Sequence, residues 1–191
     1  MMKITKYIKL SFRNTAEISE FYRSLQIDYP KFFKMDSLSK LGFLASEMLF
    51  KDEENRFSPN ENIAVICFNR SSSLYTDTQY QKTIQDNNNY FPSPSLFVYT
   101  LPNIVTGEIA IRNNLLGETA CYICKEFDAK QMVETVKNTF YDLTTTAVLA
   151  AWIECFEDKC EVFMFLVDKN AKKGTAFTIE NLEKCRNINQ L

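Results

Sequence analysis

The chain has 191 residues, 46% of them hydrophobic and 24% charged, with a net charge of -2 and only four Gly and five Pro. This is the composition of one globular domain that buries roughly two-thirds of the surface its unfolded form exposes, and it excludes a disordered, fibrous or linker-rich chain. The near-neutral balance leaves no footprint for nucleic acid, which calls for an excess of Lys and Arg on one face.

Met1 to Leu10 alternates apolar and polar residues and lacks the apolar stretch of a signal peptide. The most apolar windows, Ala147 to Ile153 and Val162 to Val167, are far shorter than the roughly 20 residues that cross a bilayer. No membrane span and a cytoplasmic location are expected. The six cysteines, at 67, 121, 124, 155, 160 and 185, sit in apolar segments and read as reduced, mostly buried thiols rather than a disulfide framework.

Along the chain, Ile4, Tyr7, Ile8 and Leu10 suit a first strand, and Asn14 with Glu17 three residues on is a capping-box start for a helix to about Leu25. Asp36 caps a second helix, whose apolar positions Leu38, Leu41, Leu44, Ala45, Met48 and Leu49 recur at helical spacing. Ile63 to Phe68 is a continuous apolar run, the pattern of a strand buried on both faces. A helix from about Thr76 to Gln85 leads into the polar loop Gln85 to Asn89, followed by the short apolar segment Leu96 to Tyr99. Then come a helix from about Asn103 to Asn114, a strand from Thr119 to Cys124, and a helix from Asp128, with Gln131 completing its cap, to about Phe140. Ala147 to Cys155 and Val162 to Val167 form a hairpin around Phe156, Glu157, Asp158 and Lys159. The pattern is α/β, one domain over residues 1–191, with a mostly parallel five-stranded sheet and helices on both faces.

From Asn103 to Glu154 the chain runs Asn103-x-x-x-Gly107, helix, Gly117, strand, a turn near Glu126, helix, and a strand ending in a small-residue run and Glu154. This order and spacing resemble, without a gap, the N-terminal half of a β-ketoacyl synthase of the thiolase-like fold. Lys34-Met35-Asp36 and the Ile63 to Phe68 strand extend the resemblance over roughly residues 34–168. Asn69-Arg70-Ser71-Ser72-Ser73 and Phe91-Pro92-Ser93-Pro94-Ser95 are similar to a small subfamily of single ketosynthase-like domains. The resemblance implies a thiolase-like half-fold without the family's C-terminal half.

In that family a cysteine at the turn between strand and helix takes the acyl chain as a thioester, its thiolate stabilised by the helix N-terminus. Two downstream histidines then assist decarboxylation of the malonyl unit. This chain contains no His. Thr119-Ala120-Cys121 matches the family's Thr-Ala-Cys by letter, but that register deletes five residues and leaves Tyr122 and Ile123 where small residues belong. The ungapped register puts Glu126 at the nucleophile position, with Cys121 or Cys124 as the alternative. Chain-length-factor subunits also carry an acid or amide there. Glu126 reads equally well as an acidic residue favouring the helix dipole.

The other constellations have plain structural readings. Cys121-x-x-Cys124 is one pair without His, and strand residues three apart face opposite ways, so core thiols are expected rather than a metal site. Ser71, Ser72 and Ser73 lack the glycines and lysine of a phosphate loop and suit a strand-to-helix turn. Arg70, Asp77 and Arg112 read as structural ion pairs. The 25 Phe and Tyr residues read as core, with a remnant acyl tunnel as the functional alternative.

The resemblance therefore implies a catalytically deficient subunit paired, as a chain length factor is, with a full-length β-ketoacyl synthase in fatty-acid, polyketide or aryl-polyene-type synthesis. No cofactor is implied, and acyl carrier protein is a further partner. In the family the strand before the turn pairs across the dimer two-fold. Thr119, Ala120, Cys121, Tyr122, Ile123 and Cys124 are uncharged, a hazard for an edge strand unless a partner or a second copy covers it. A cysteine-dependent acyl-thioester transferase or hydrolase using Cys121 or Cys124 is the competing enzyme reading, and a stand-alone interaction domain the third.

Overall fold

Ile63–Asn69 (β2) is buried at every position after the first, which demands cover on both faces and places it inside a sheet. In the computed structural model, which describes residues 1–156 and 159–188, β2 is flanked in parallel by Thr119–Ile123 (β3) and Ala147–Phe156 (β4). Antiparallel to β4 lies Lys159–Asp168 (β5), then Lys3–Phe12 (β1), then the two-residue Thr175–Ala176 (β6). The order is β3-β2-β4-β5-β1-β6. Four strands, β1 to β4, point one way, and β5 and β6 run against them. The five expected strands are present, and β6 is a short addition to the far edge.

Helices cover both faces. Thr15–Ser24 (α1), Ser37–Leu49 (α2) and Ile104–Asn113 (α5) lie on one, while Ala129–Thr139 (α6) and Ile179–Asn187 (α7) lie on the other. Leu74–Lys82 (α3) and Pro94–Val98 (α4) follow the carboxyl end of β2. Successive β2 side chains alternate between the two layers: Val65 and Cys67 join Leu41, Leu44, Val105 and Ile109, whereas Ala64, Ile66 and Phe68 join Met132, Val133 and Val136. Gly117 lets β3 enter beside β2, since a Cβ there would collide with the Ile63 carbonyl.

The capping residues act as the sequence indicates. Asn14 accepts from the Glu17 amide, Asp36 from the Ser39 amide, and Asp128 from the Lys130 and Gln131 amides. Glu17 reaches back to the Arg13 amide rather than to that of Asn14. Three local expectations shift. The helix after β2 begins at Leu74 because Ser71 to Ser73 form the turn, Leu96 to Tyr99 belongs largely to α4, and α7 extends the structure beyond the last expected strand. Glu157 and Asp158, part of the expected hairpin turn, lie outside the described residues. The six-thiol expectation is corrected: the hairpin register sets Cys155 directly opposite Cys160, with Cα atoms 4.0 Å apart, and a disulfide joins them. Cys67, Cys121, Cys124 and Cys185 are free.

Asp36 also ties α2 to α3, accepting from the Thr76 hydroxyl at 3.0 Å. Burial pushes its pKa up, against the hydrogen bonds from Ser39 and Thr76 and the charge of Lys40, which lower it. A carboxyl whose pKa is raised by folding binds its proton more tightly in the native state. Stability from this group therefore falls as pH climbs from about 4, the ordinary Asp value, through the native pKa. Asn caps as well as Asp. Asp36→Asn is expected to raise the melting temperature relative to the parent chain more at pH 7 than at pH 4, and parallel pH curves for the two proteins would refute this.

Candidate functional site

The turn between β3 and α6 spans residues 124–128 and contains Glu126. Glu126 is exposed there. The next residue, Phe127, turns inward against Trp152 and Phe163 and lies under the Arg186 guanidinium, 3.8 Å from the ring centroid. The N-terminus of α6 is closed by its own cap. The Asp128 carboxylate accepts from the Lys130 amide at 2.8 Å and the Gln131 amide at 3.1 Å, so these two of the first-turn donors already hold a carboxylate.

Cys121 stands on β3, not at the helix N-terminus. It pairs in register with Cys67 of β2 and packs with the α2 and α5 layer, whereas Cys124 packs with the α6 layer. The two cysteines of the Cys-x-x-Cys segment thus face opposite ways, and no His/Cys/Asp/Glu cluster suited to a metal occurs among the described residues. Hydrogen bonding between the neighbouring thiols raises the pKa of buried Cys67 and lowers that of Cys121. Burial raises Cys124.

The free side of β3 has a definite chemistry. Val65 donates to the Glu118 carbonyl and Cys124 donates to the Asn69 carbonyl, both at 2.8 Å. In a parallel ladder the amide and carbonyl of one residue point the same way. Even-numbered positions therefore bond to β2, while Thr119, Cys121 and Ile123 direct their backbone groups to the open edge of the sheet. Ile123 is 51% exposed and Tyr122 38%, with Tyr122 stacked on Phe68. The outer side of the strand is an unpaired, uncharged ladder.

The remaining motif residues lie on α5, at the end of β4 and in the turn after β2. Asn103 precedes α5 at the N-cap position without a side-chain capping bond, and Gly107 lies within the helix. Glu154, near the end of β4, accepts from the Arg70 and Ser71 amides at 2.8 and 3.2 Å and so holds the turn after β2. Arg70, Asp77 and Arg112 do not meet. Arg112 instead binds Glu47, and Asp77 accepts from the Ser73 hydroxyl. Tyr22, Tyr29, Phe32 and Phe43 stack against one another as packed core. A groove of about 710 Å³ lies near the amino ends of β2 and β4 among Lys6, Glu53, Arg56 and Asn60, and is lined mainly by polar groups rather than suited to an acyl chain.

Residues that motif reasoning did not single out position α5. Glu47 is almost fully buried and binds two arginines, Arg56 and Arg112, each at 2.6 Å. Arg56 also donates to Asn113 at 2.7 Å, and Arg112 lies over the rings of Tyr29, Phe43 and Phe57. Glu108, buried on the same helix, accepts from Lys31 and from the Tyr99 hydroxyl, whose pKa is raised by burial and by this contact.

No protein-family model and no curated protein matches the chain. Solved structures do. The chain is similar to "The ishigamide ketosynthase/chain length factor" (16% identity, TM-score 0.73), with 90% of this chain aligned to 63% of that one. The fold is that of a ketosynthase. A second neighbour is a "Ketosynthase (ApeO) in Complex with its Chain Length Factor (ApeC)" from Xenorhabdus doucetiae (11% identity, TM-score 0.61), covering 97% of this chain and 90% of that one. A third is a β-ketoacyl synthase from Burkholderia phymatum STM815 (11% identity, TM-score 0.64), covering 88% and 59%. The ketosynthase fold thus appears here over 63% of the ishigamide chain's length, and no helix among the described residues is long and apolar enough to cross a membrane.

Proposed function

We propose that the chain is a non-catalytic ketosynthase-like subunit that pairs, in the manner of a chain length factor, with a full-length β-ketoacyl synthase. The observation that carries this reading is the open edge of β3, where Thr119, Cys121 and Ile123 present unpaired backbone groups beside exposed apolar side chains. Such an edge invites strand addition. The closed α6 N-terminus and the lack of any His in the sequence support the non-catalytic part, because thiolate stabilisation and decarboxylation both need donors this site does not offer. Glu126 at the nucleophile position cannot carry an acyl thioester. Similarity to structures of ketosynthases with chain length factors supports the choice of partner class. The carrier protein that delivers acyl chains would act on the pair.

Co-expression with each β-ketoacyl synthase of the source organism tests this reading. A stable 1:1 complex with at least one of them is expected. Failure with every one, or a β3-mediated homodimer in their place, would contradict it. The lowered pKa of Cys121 favours a second reading, an acyl-thioester transferase using that thiol. Mass spectrometry after incubation with an acyl-carrier thioester separates the two, since only the transferase leaves an acyl adduct on Cys121.

A further inference from the structure

We propose that Cys67 and Cys121 form a peroxide-sensitive dithiol site, in which oxidation of Cys121 is resolved by Cys67 into a disulfide that stitches the edge strand β3 to β2.

Strand register and layer bring the two thiols together. Cys67 of β2 and Cys121 of β3 are direct partners in the parallel ladder, and both side chains enter the layer of α2 and α5. Residues paired in this way on neighbouring strands lie about 4.8 Å apart, inside the roughly 4.4–6.8 Å between Cα atoms that a disulfide bridges. On its other side Cys67 pairs with Ala151 of β4, whose methyl group leaves the sulfur room to turn. Among the described residues β2 is the sole sheet neighbour of β3, so the edge strand can close on its partner without dragging a second strand.

The pair is asymmetric as a redox couple requires. Cys67 is 1% exposed, whereas Cys121 is half-buried and has exposed Thr119 and Ile123 two residues to either side on its own face. A small oxidant therefore reaches Cys121 from the open flank of the sheet before it can reach Cys67. The hydrogen bond between the thiols lowers the Cys121 pKa and, with burial, raises that of Cys67, so the accessible sulfur is also the one more readily ionised. Burial pushes Cys124 and Cys185 up instead.

Hydrogen peroxide is the oxidant this site would take. The Cys121 thiolate attacks one peroxide oxygen: an S–O bond forms, the O–O bond breaks, and the departing hydroxide takes a proton to leave as water. The Cys67 sulfur then attacks the sulfenic sulfur: the S–S bond forms, the S–O bond breaks, and the hydroxyl leaves with the Cys67 proton as a second water. The two thiols lose two electrons and the peroxide gains them. The outward backbone groups of Thr119, Cys121 and Ile123 take no part, so the stitch forms whether or not a ketosynthase pairs with the strand.

Brief hydrogen peroxide treatment of the full chain, then thiol blocking, digestion without reductant and mass spectrometry, tests the site, with fragment ions separating Cys121 from Cys124. The parent should yield peptides joined through Cys67 and Cys121, lighter by two hydrogen atoms than the reduced pair. Cys121 should react at least about tenfold faster than Cys124 or Cys185. In Cys67→Ala the same treatment should stop at a Cys121 sulfenic acid, which dimedone traps. Cys121→Ser, a check if Cys67→Ala folds poorly, should leave Cys67 reduced. A parent chain without the Cys67–Cys121 link would overturn the proposal, whether Cys121 remains a thiol, passes on to the sulfinic acid or joins another cysteine. So would oxidation of Cys67 in Cys121→Ser at the parent's rate.

Discussion

Glu47→Ala is expected to lower the melting temperature of the chain by roughly 6–20 °C, corresponding to about 3–5 kcal/mol. The reason lies in what it leaves behind. The Glu47 side chain is 6% exposed, and its partners Arg56 and Arg112 are 8% and 18% exposed. Removing the one carboxylate strands two largely desolvated guanidinium groups, a far greater penalty than losing a surface pair. Stacking on Tyr29, Phe43 and Phe57 retains part of the Arg112 contact, so the chain should still fold at low temperature. A fall of less than about 2 °C in thermal unfolding would show the network to be energetically idle.

Ile123→Pro is expected to weaken binding to the ketosynthase partner at least about 100-fold while changing the melting temperature of the isolated chain by no more than about 3 °C. The Ile123 amide points away from β2, so proline removes a donor from the open edge and none from the internal ladder. The bond from the Cys124 amide to Asn69 remains. Thr119→Lys, which charges the same edge at an exposed position, should act in the same direction. Calorimetric titration reads the binding and thermal unfolding reads the stability. Equal loss of both would mean that the strand matters to the fold rather than to the partner.

Much of the fold was legible where local chemistry and tertiary packing agree. The apolar run of β2 announced a strand covered on both faces, and Asn14, Asp36 and Asp128 announced three helix starts that the hydrogen bonds of the structure match. α7 was not legible, because only Leu182 and Cys185 among its nine residues are buried, too few to set a helical period. The Glu47 network was hidden for a different reason. Its members lie 9 and 65 residues apart, and only packing of α5 on α2 brings them together. The Cys155–Cys160 bond had a usable signal, since a hairpin turning around residues 156–159 must set 155 opposite 160. At the candidate site, the sequence indicated β3 as an uncharged edge but not which of its amides face outward. That required the register with β2.

The decisive measurement is carrier-protein-dependent condensation, followed by mass spectrometry of the acyl products, for the isolated chain, the ketosynthase recovered with it, and the reconstituted pair. The isolated chain should neither decarboxylate a malonyl-carrier substrate nor extend an acyl chain, because no thiol stands at the start of α6, where Asp128 takes the Lys130 and Gln131 amides, and the sequence holds no His. The pair should condense and yield a product length that the ketosynthase alone does not give. Condensation by the chain alone, or products from the pair indistinguishable from those of the ketosynthase alone, would contradict a non-catalytic subunit that acts through its partner.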